Sequence, residues 1–478
     1  MSSPENMLVI MSDEHQARAL SCLGHFVDTP NLDRLAAEGT LFTRAYTPSP
    51  ICVPARASFA SGRPVHENRL WDNAMPYRGQ PKGWGHALQN AGIAVESIGK
   101  LHYSTSDDDN GFDAEHIPMH VVGGHGMVWA SIRDEDRRVV REEGRMLGPK
   151  IGSGESDYTR YDRAVTAKTV EWLNQPQRTE SGEPWCLYVG LVAPHFPLIA
   201  PEPYFSKYRK RDVPEPTQTG ALHPWVAKQN GMMESESKFR NADERKDALA
   251  AYYALIEFMD HHVGQVLDAL EASGQAEHTT VVYTSDHGDN AGARGLWGKS
   301  NMYEESAAIP MIARGPKFAA GARVETCVDL LDLSATIVDH FGVDWPEVEG
   351  HSAPTGTPLD RISDSDPTRC VLSQYHAVGS VSGAFMVTDG RWKYIYYHGF
   401  DPELFDLVAD PQELSDLSAD PASADILDQM HAKLLAQLDP VKVDRQAFAD
   451  QAELIESFGG IEASKKYGAP AATPPPKV

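Results

Sequence analysis

Runs of consecutive apolar residues alternate with segments of helical spacing along most of this chain. Met7-Leu8-Val9-Ile10-Met11 has no polar position and stops at Ser12-Asp13-Glu14-His15. A strand that is apolar on both faces belongs in a parallel sheet covered from each side. Residues 41–46, 93–98, 185–192, 279–284 and 309–313 read as further strands. Between them, Thr29-Pro30-Asn31 opens a helix through Leu32, Leu35 and Ala36 that stops at Gly39. Residues 54–62, with proline in the first turn, 84–91, 158–173 and 330–341 read as helices. The longest, 244–272, spaces Leu249, Tyr252, Tyr253, Ile256, Met259 and Val263 along one side. This alternation predicts an α/β fold with a large central mixed, mostly parallel sheet flanked by helices.

Two stretches lack periodicity. Residues 103–156 are rich in Asp, Gly, Arg and His and read as an insertion or lid; 201–241 reads as irregular. Near Pro367 the character changes. Residues 370–375, 382–388 and 392–397 look like short antiparallel strands, with Asp389-Gly390 as a hairpin turn, and 422–438 as a helix. The expected division is a catalytic α/β domain over 1–366, a small C-terminal α+β subdomain with an antiparallel sheet over 367–440, and a tail over 441–478. The tail carries an amphipathic stretch around Phe448, Leu454, Ile455 and Phe458, then a Pro-rich end suited to an extended conformation. It reads either as a frayed terminus or as an oligomerisation arm that closes a second subunit's active site, which makes a homo-oligomer (dimer or tetramer) the expectation.

Composition narrows the partners. The 478 residues carry a formal net charge of −25. Such a surface repels nucleic acid and anionic membranes at long range, while a local cluster of cations still admits a small anion. The five cysteines, Cys22, Cys52, Cys186, Cys327 and Cys370, show no paired spacing, so no disulfide framework is indicated. Met1 to Asn6 lacks a basic region and the apolar run after it is too short for a leader or a membrane span, so the expected location is cytoplasmic.

Candidate chemistry gathers where strands end. Asp13, Lys100 with His102, His195, and Asp286 with His287 sit at or just beyond the ends of predicted strands. In an open α/β sheet that edge is where ligand sites form. An adjacent oxygen and imidazole donor, with a distant aspartate, suits one divalent cation, and mixed oxygen and nitrogen ligation favours Mn²⁺ over Ca²⁺.

The segment Ser49-Pro50-Ile51-Cys52-Val53-Pro54-Ala55-Arg56-Ala57-Ser58-Phe59-Ala60-Ser61-Gly62-Arg63 resembles the signature of the type I sulfatases, the formylglycine-dependent branch of the alkaline phosphatase superfamily. Gly99-Lys100-Leu101-His102, Pro194-His195-Phe196-Pro197, Ser285-Asp286-His287-Gly288, Trp297-Gly298-Lys299 and the C-terminal Leu404-Phe405-Asp406-Leu407 and Asp410-Pro411-Gln412-Glu413-Leu414 extend the resemblance over nearly the whole chain. Many sulfatases carry Asn where this chain has His287; the Asp-His pair is similar to the choline sulfatase and phosphonate monoester hydrolase branches. The resemblance implies hydrolysis of an alkyl or aryl sulfate monoester, or alternatively of a phosphonate monoester or phosphodiester. It implies that Cys52 is oxidised to formylglycine by a formylglycine-generating enzyme and, hydrated, becomes the nucleophile and a ligand of one divalent ion, Mn²⁺ or Ca²⁺, with Asp13, Asp286 and His287. Arg56 would then polarise the diol, and Lys100 and Lys299 would bind sulfate oxygens. His102 would act as base toward the diol and His195 as acid toward the leaving group, or the reverse. Glu14 is either a further ligand or a helix-dipole or solvent-facing acid. Trp71, Trp129, Tyr103 and Tyr158 would line a pocket for a quaternary ammonium group or belong to the core.

Overall fold

A computed structural model describes residues 6–140, 146–179, 182–211, 213–467 and 473–477. Among them the strands, in chain order, are β1 (Asn6–Asp13), β2 (Thr40–Tyr46), β3 (Ala94–Lys100), β4 (Ala114–Met119), β5 (Gly152–Ser153), β6 (Trp185–Pro194), β7 (Ile199–Ala200), β8 (Thr279–Ser285), β9 (Ala308–Arg314), β10 (Ala322–Val324), β11 (Val328–Asp329), β12 (Val371–Tyr375), β13 (Ala384–Thr388), β14 (Trp392–Tyr397) and β15 (Glu403–Asp406). The main sheet runs β10-β2-β9-β8-β1-β6-β3-β4, with β11 beside β2. Every pairing in it is parallel except those of β9 with β2 and β8, so the sheet is mixed and mostly parallel. β12 to β15 form a separate antiparallel sheet in sequence order.

The unbroken apolar run of β1 has a simple cause. Leu8 and Ile10 face one layer, packed with Leu32, Val165 and Ile256 of the helices Pro30–Glu38, Asp157–Leu173 and Ala242–Ala272. Met7, Val9 and Met11 face the other, packed with Phe59, Leu88 and Ile337 of Cys52–Ser61, Trp84–Asn90 and Leu330–His340. Side chains alternate along a strand, so a strand covered on both sides has no position left for a polar residue.

Three local readings differ from the structure. Within 103–156, Ala114–Met119 adds an edge strand beside β3. Its Glu115, His116 and Pro118 and its half-buried pattern hide it from a search for apolar runs. Within 201–241, Tyr204–Lys210 and Pro224–Asn230 are helices, too short and too polar to show a clear period. Glu403–Asp406 is a fourth strand of the small sheet, where buried Glu403 accepts hydrogen bonds from Tyr303 Oη at 3.0 Å and Tyr397 Oη at 2.8 Å. The helix Pro440–Ser457 continues past the small sheet and returns to the large layer: Trp71 Nε1 donates to Asp450 Oδ2 at 2.7 Å and Gln451 Nε2 to Asp72 Oδ2 at 2.6 Å. No helix among the described residues is long and apolar enough to cross a membrane.

Candidate active site

β1, β3, β6 and β8 are neighbours in the sheet and run the same way, so their carboxyl ends meet along one edge. Asp13 ends β1, Lys100 ends β3, His195 follows β6 and Asp286 follows β8. The helix Cys52–Ser61 delivers Cys52 in its first turn, where Asn73 Oδ1 accepts from Val53 N at 3.1 Å and holds the helix start in place. Tight backbone packing sets the position of Lys100. A Cβ on Gly190 of β6 would come within 2.1 Å of the Lys100 carbonyl oxygen. Three non-glycine residues of the site, Glu14, His102 and Ser300, have positive φ of 73°, 60° and 86°. Backbone strain of this kind persists where surrounding structure enforces it, often at functional sites.

Cys52 lies at the centre of a buried cluster. Its Sγ is 3.2 Å from His287 Nε2 and 3.7 Å from Asp13 Oδ1. His287 Nε2 is 3.5 Å from Asp13 Oδ1 and 3.6 Å from Asp286 Oδ1. The other ring nitrogen, Nδ1, lies 3.0 Å from the Gly288 carbonyl, so with a proton there Nε2 turns its lone pair toward the sulfur and the carboxylates. Two carboxylates, one imidazole and position 52 offer donor atoms all within 4.8 Å of one another. That donor set fits a single divalent cation. Burial, and then the charge of Asp13, pushes the Cys52 thiol up to about 11, so the unmodified side chain is a thiol at neutral pH.

Arg56 lies beneath the cluster rather than in the cavity. Its Nε donates to Asp286 Oδ2 at 2.7 Å, and Nη1 donates to Tyr188 Oη at 2.8 Å and to the Lys100 carbonyl at 3.0 Å. Asp13 Oδ2 pairs with Lys100, leaving Oδ1 toward Cys52. Against the upward push of burial, Lys100, His195, Lys299 and Arg56 hold Asp13 well below the usual carboxylate range. Glu14 is fully buried, which corrects the reading of a solvent-facing acid. Its Oε2 accepts from Lys299 Nζ at 3.1 Å and lies 3.4 Å from His195 Nε2. The carboxylate thus joins Asp13 and His195 in a second donor group, apart from Cys52. Burial raises its pKa well above the ordinary value.

Cys52, Lys100, His102, His195 and Lys299 line one narrow cavity together with Ser300, Met127, Met146, Met233 and Phe196. Burial, helped by Lys100 for His102 and by Lys299 for His195, holds both imidazoles well below their ordinary pKa, so each is neutral near pH 7. Asp162 fixes the segment that carries His195, accepting from Val192 N and Ala193 N at 2.8 Å each. Trp71, Trp129 and Tyr103 are core residues in three different clusters, and none lines the cavity. Tyr158, one of the four aromatic candidates, packs edge-on against His195, whereas Tyr188, Asn73 and Asp162 support the site with no mark in the sequence. They lie inside ordinary strand, loop and helix sequence, and only the carboxyl-end position of Asp162's hydrogen-bond partners links it to the chemistry.

Comparison with known proteins agrees with this geometry. The sulfatase family model matches residues 5–343, and a model for the C-terminal region of N-sulphoglucosamine sulphohydrolase matches 292–439. The chain belongs to the sulfatase family and is a hydrolase. It is 32% identical over 432 residues to a choline-sulfatase of Rhizobium meliloti (strain 1021), covering 87% of this chain and 83% of that one. Arylsulfatase K of Bos taurus is 29% identical over 446 residues, with 87% and 78% covered. In three dimensions the chain resembles the phosphonate monoester hydrolase of Agrobacterium radiobacter, with a TM-score of 0.72, 24% identity, and 90% and 95% of the two chains covered. At that identity the likeness speaks for the shared fold.

Proposed function

We propose that this chain hydrolyses an alkyl or aryl sulfate monoester to alcohol and sulfate, with Cys52 converted to formylglycine. The observation that carries the reading is the placement of Cys52 Sγ between His287 Nε2 and Asp13 Oδ1, beside Asp286 and above Arg56. A sulfate monoester is an anion that resists an anionic nucleophile, so the site must neutralise charge before attack. Asp13, Asp286, His287 and the modified position 52 would hold a divalent ion, Mn²⁺ or Ca²⁺, which supplies Lewis-acid charge to the sulfate oxygens and the nucleophile. A formylglycine at position 52 would, when hydrated, supply a nucleophilic hydroxyl and a second hydroxyl through which sulfate is released.

The chain's own residues do the rest. Lys100 and Lys299 line the cavity and bring two ammonium groups to the sulfate oxygens. They now pair with Asp13 and Glu14, charges that an ion and a substrate would share. Arg56 is fixed by Asp286, Tyr188 and the Lys100 carbonyl, and directs its charge toward position 52 from below. His102 takes a proton from the second hydroxyl; its neutral state at pH 7 suits a base. His195 would take up at Nε2 the proton that the attacking hydroxyl loses and pass it to the leaving oxygen, its ring held by Nδ1 donating to the Phe196 carbonyl at 2.5 Å. Maturation needs a formylglycine-generating enzyme in the compartment where the chain folds.

The test is a mass measurement on the tryptic peptide bearing Cys52, followed by turnover assays on converted, metal-loaded protein. Formylglycine at position 52, aryl sulfate hydrolysis, and complete loss of it in Cys52→Ala are the expected results. Native-level turnover in Cys52→Ala would refute the reading. A higher kcat/KM for the matched aryl phosphonate than for the aryl sulfate would instead assign the chain to phosphonate ester hydrolysis with the same machinery.

A further inference from the structure

The C-terminal segment 473–477 enters the active site of its own chain. Thr473 is 8% exposed, in a Pro-rich stretch whose neighbours are more open. Its Oγ1 lies 2.9 Å from His102 Nε2, and its carbonyl accepts from Tyr158 Oη at 2.7 Å. The Tyr158 ring in turn meets His195 edge-on, with centroids 5.8 Å apart. One residue of the tail is therefore tied to both histidines of the site, to His102 directly and to His195 through one tyrosine. Pro474, Pro475 and Pro476 follow it. Proline has few conformations to lose, so the segment is ordered at a small entropic cost.

Thr473 also decides what room remains. It lines the same cavity as Cys52, together with Met127, Met146, Met233, Phe196 and Val378. The basic side chains on that lining are Lys100, His102, His195 and Lys299, all of them committed to the anion or its protons in the proposed reaction. Beyond them most of the lining is apolar, with Asn73, Ser300 and Thr473 as its neutral polar members, and no carboxylate among the described residues lines it. The space between these walls is narrow, and Thr473 closes one side of it. A cation there would be desolvated without a partner, and a sugar ring or polycyclic aryl group would meet the tail.

We infer that Thr473 is a specificity-determining residue, forming the outer wall of the alcohol subsite and restricting it to a small, uncharged, apolar group. This rests on the sulfate ester reading above. It commits to a short-chain alkyl sulfate as the preferred class, over choline sulfate or a sulfated sugar.

The experiment compares kcat/KM for isopropyl sulfate, 2-naphthyl sulfate and choline sulfate in the formylglycine-bearing full chain, in Thr473→Ala, in Thr473→Ser and in a chain ending at Tyr467. The full chain is expected to prefer isopropyl sulfate. Thr473→Ala and the shortened chain are expected to raise the naphthyl-to-isopropyl ratio at least tenfold, chiefly through a lower KM for the naphthyl ester, and Thr473→Ser to retain the original ratio. An unchanged ratio in Thr473→Ala and in the shortened chain overturns the inference, as does a preference of the full chain for choline sulfate. Restored narrow preference when the shortened chain is co-expressed with full-length Cys52→Ala would place the segment in a second copy's site and overturn the assignment to its own chain. Failure of converted protein to cleave any of the three esters removes the sulfate ester reading itself, and this inference with it.

Discussion

Arg56 is 1% exposed, and its guanidinium is spent entirely on groups of the site. It joins the strand ends carrying Asp286 and Lys100 through one planar guanidinium, a geometry that an ammonium cannot reproduce. Against the cost of burial, Asp286 keeps it charged. Arg56→Ala is expected to destabilise the protein by about 3–5 kcal/mol, because it strands the buried Asp286 carboxylate without its cation. Arg56→Lys keeps the charge but loses the fork, and should fold with kcat reduced roughly 10²–10³-fold, the scale of losing one oriented charge-stabilising donor. Urea denaturation and steady-state kinetics on converted protein separate the two effects. A near-wild-type kcat in Arg56→Lys would show that charge alone matters there. In the sequence, Arg56 is visible only as part of the Cys52 motif. Its partner Tyr188 carries no signal at all, since a tyrosine inside an apolar strand looks like packing.

At the scale of elements, the C-terminal motif Asp410-Pro411-Gln412-Glu413-Leu414 acquires a physical role. Glu413 is buried, accepts from Glu304 N at 2.8 Å, and pairs with Lys393 at 2.8 Å and Arg294 at 3.5 Å. Lys393 belongs to the small sheet, whereas Arg294 lies in the loop between Asp286 and Lys299. The motif therefore clamps the active-site loop against the small sheet. Glu413→Ala should cost about 3–5 kcal/mol in stability by leaving Lys393 and Arg294 short of a buried counter-charge. Adding Lys393→Met should not recover that loss, because Lys393 also pairs with Glu304 at 3.0 Å and its removal strands a second buried carboxylate. A double-mutant cycle in urea reads both; full recovery in the double variant would mean that the Lys393–Glu304 pair contributes nothing. The helices and strands themselves were largely legible, because sheet strands covered on both faces must be apolar. The edge strand Ala114–Met119 was not, because an edge needs backbone pairing more than apolar side chains.

The whole molecule carries a pH dependence apart from its chemistry. His262, in the long helix Ala242–Ala272, is 3% exposed, and neither ring nitrogen has a hydrogen-bond partner among the described residues. Burial, reinforced by Arg163 and His261, lowers its pKa from 6.5 to about 3. The unfolded chain then binds a proton below pH 6.5 that the folded chain refuses. Stability from this group is complete above pH 6.5 and is lost as pH falls toward about 3, with a slope of up to about 1.4 kcal/mol per pH unit. His262→Leu should flatten the unfolding free energy between pH 6 and 4 relative to wild type, measured by urea titration across that range. An identical slope in the variant would assign the acid sensitivity to other groups.

The amino-acid order alone determined the alternating architecture, the sulfatase signature around Cys52 and the set of side chains at strand ends. Each of these is local: apolar periodicity follows from burial on known faces, and a nucleophile motif is contiguous in the chain. Only the tertiary structure decided that Glu14 is buried against Lys299 and His195, that Arg56 sits below the cavity rather than in it, and that Thr473 stands beside His102. Those facts depend on contacts between residues hundreds of positions apart, and which partner a buried charge or a terminal segment meets is set by the packing of whole layers, for which no neighbouring residue carries a mark.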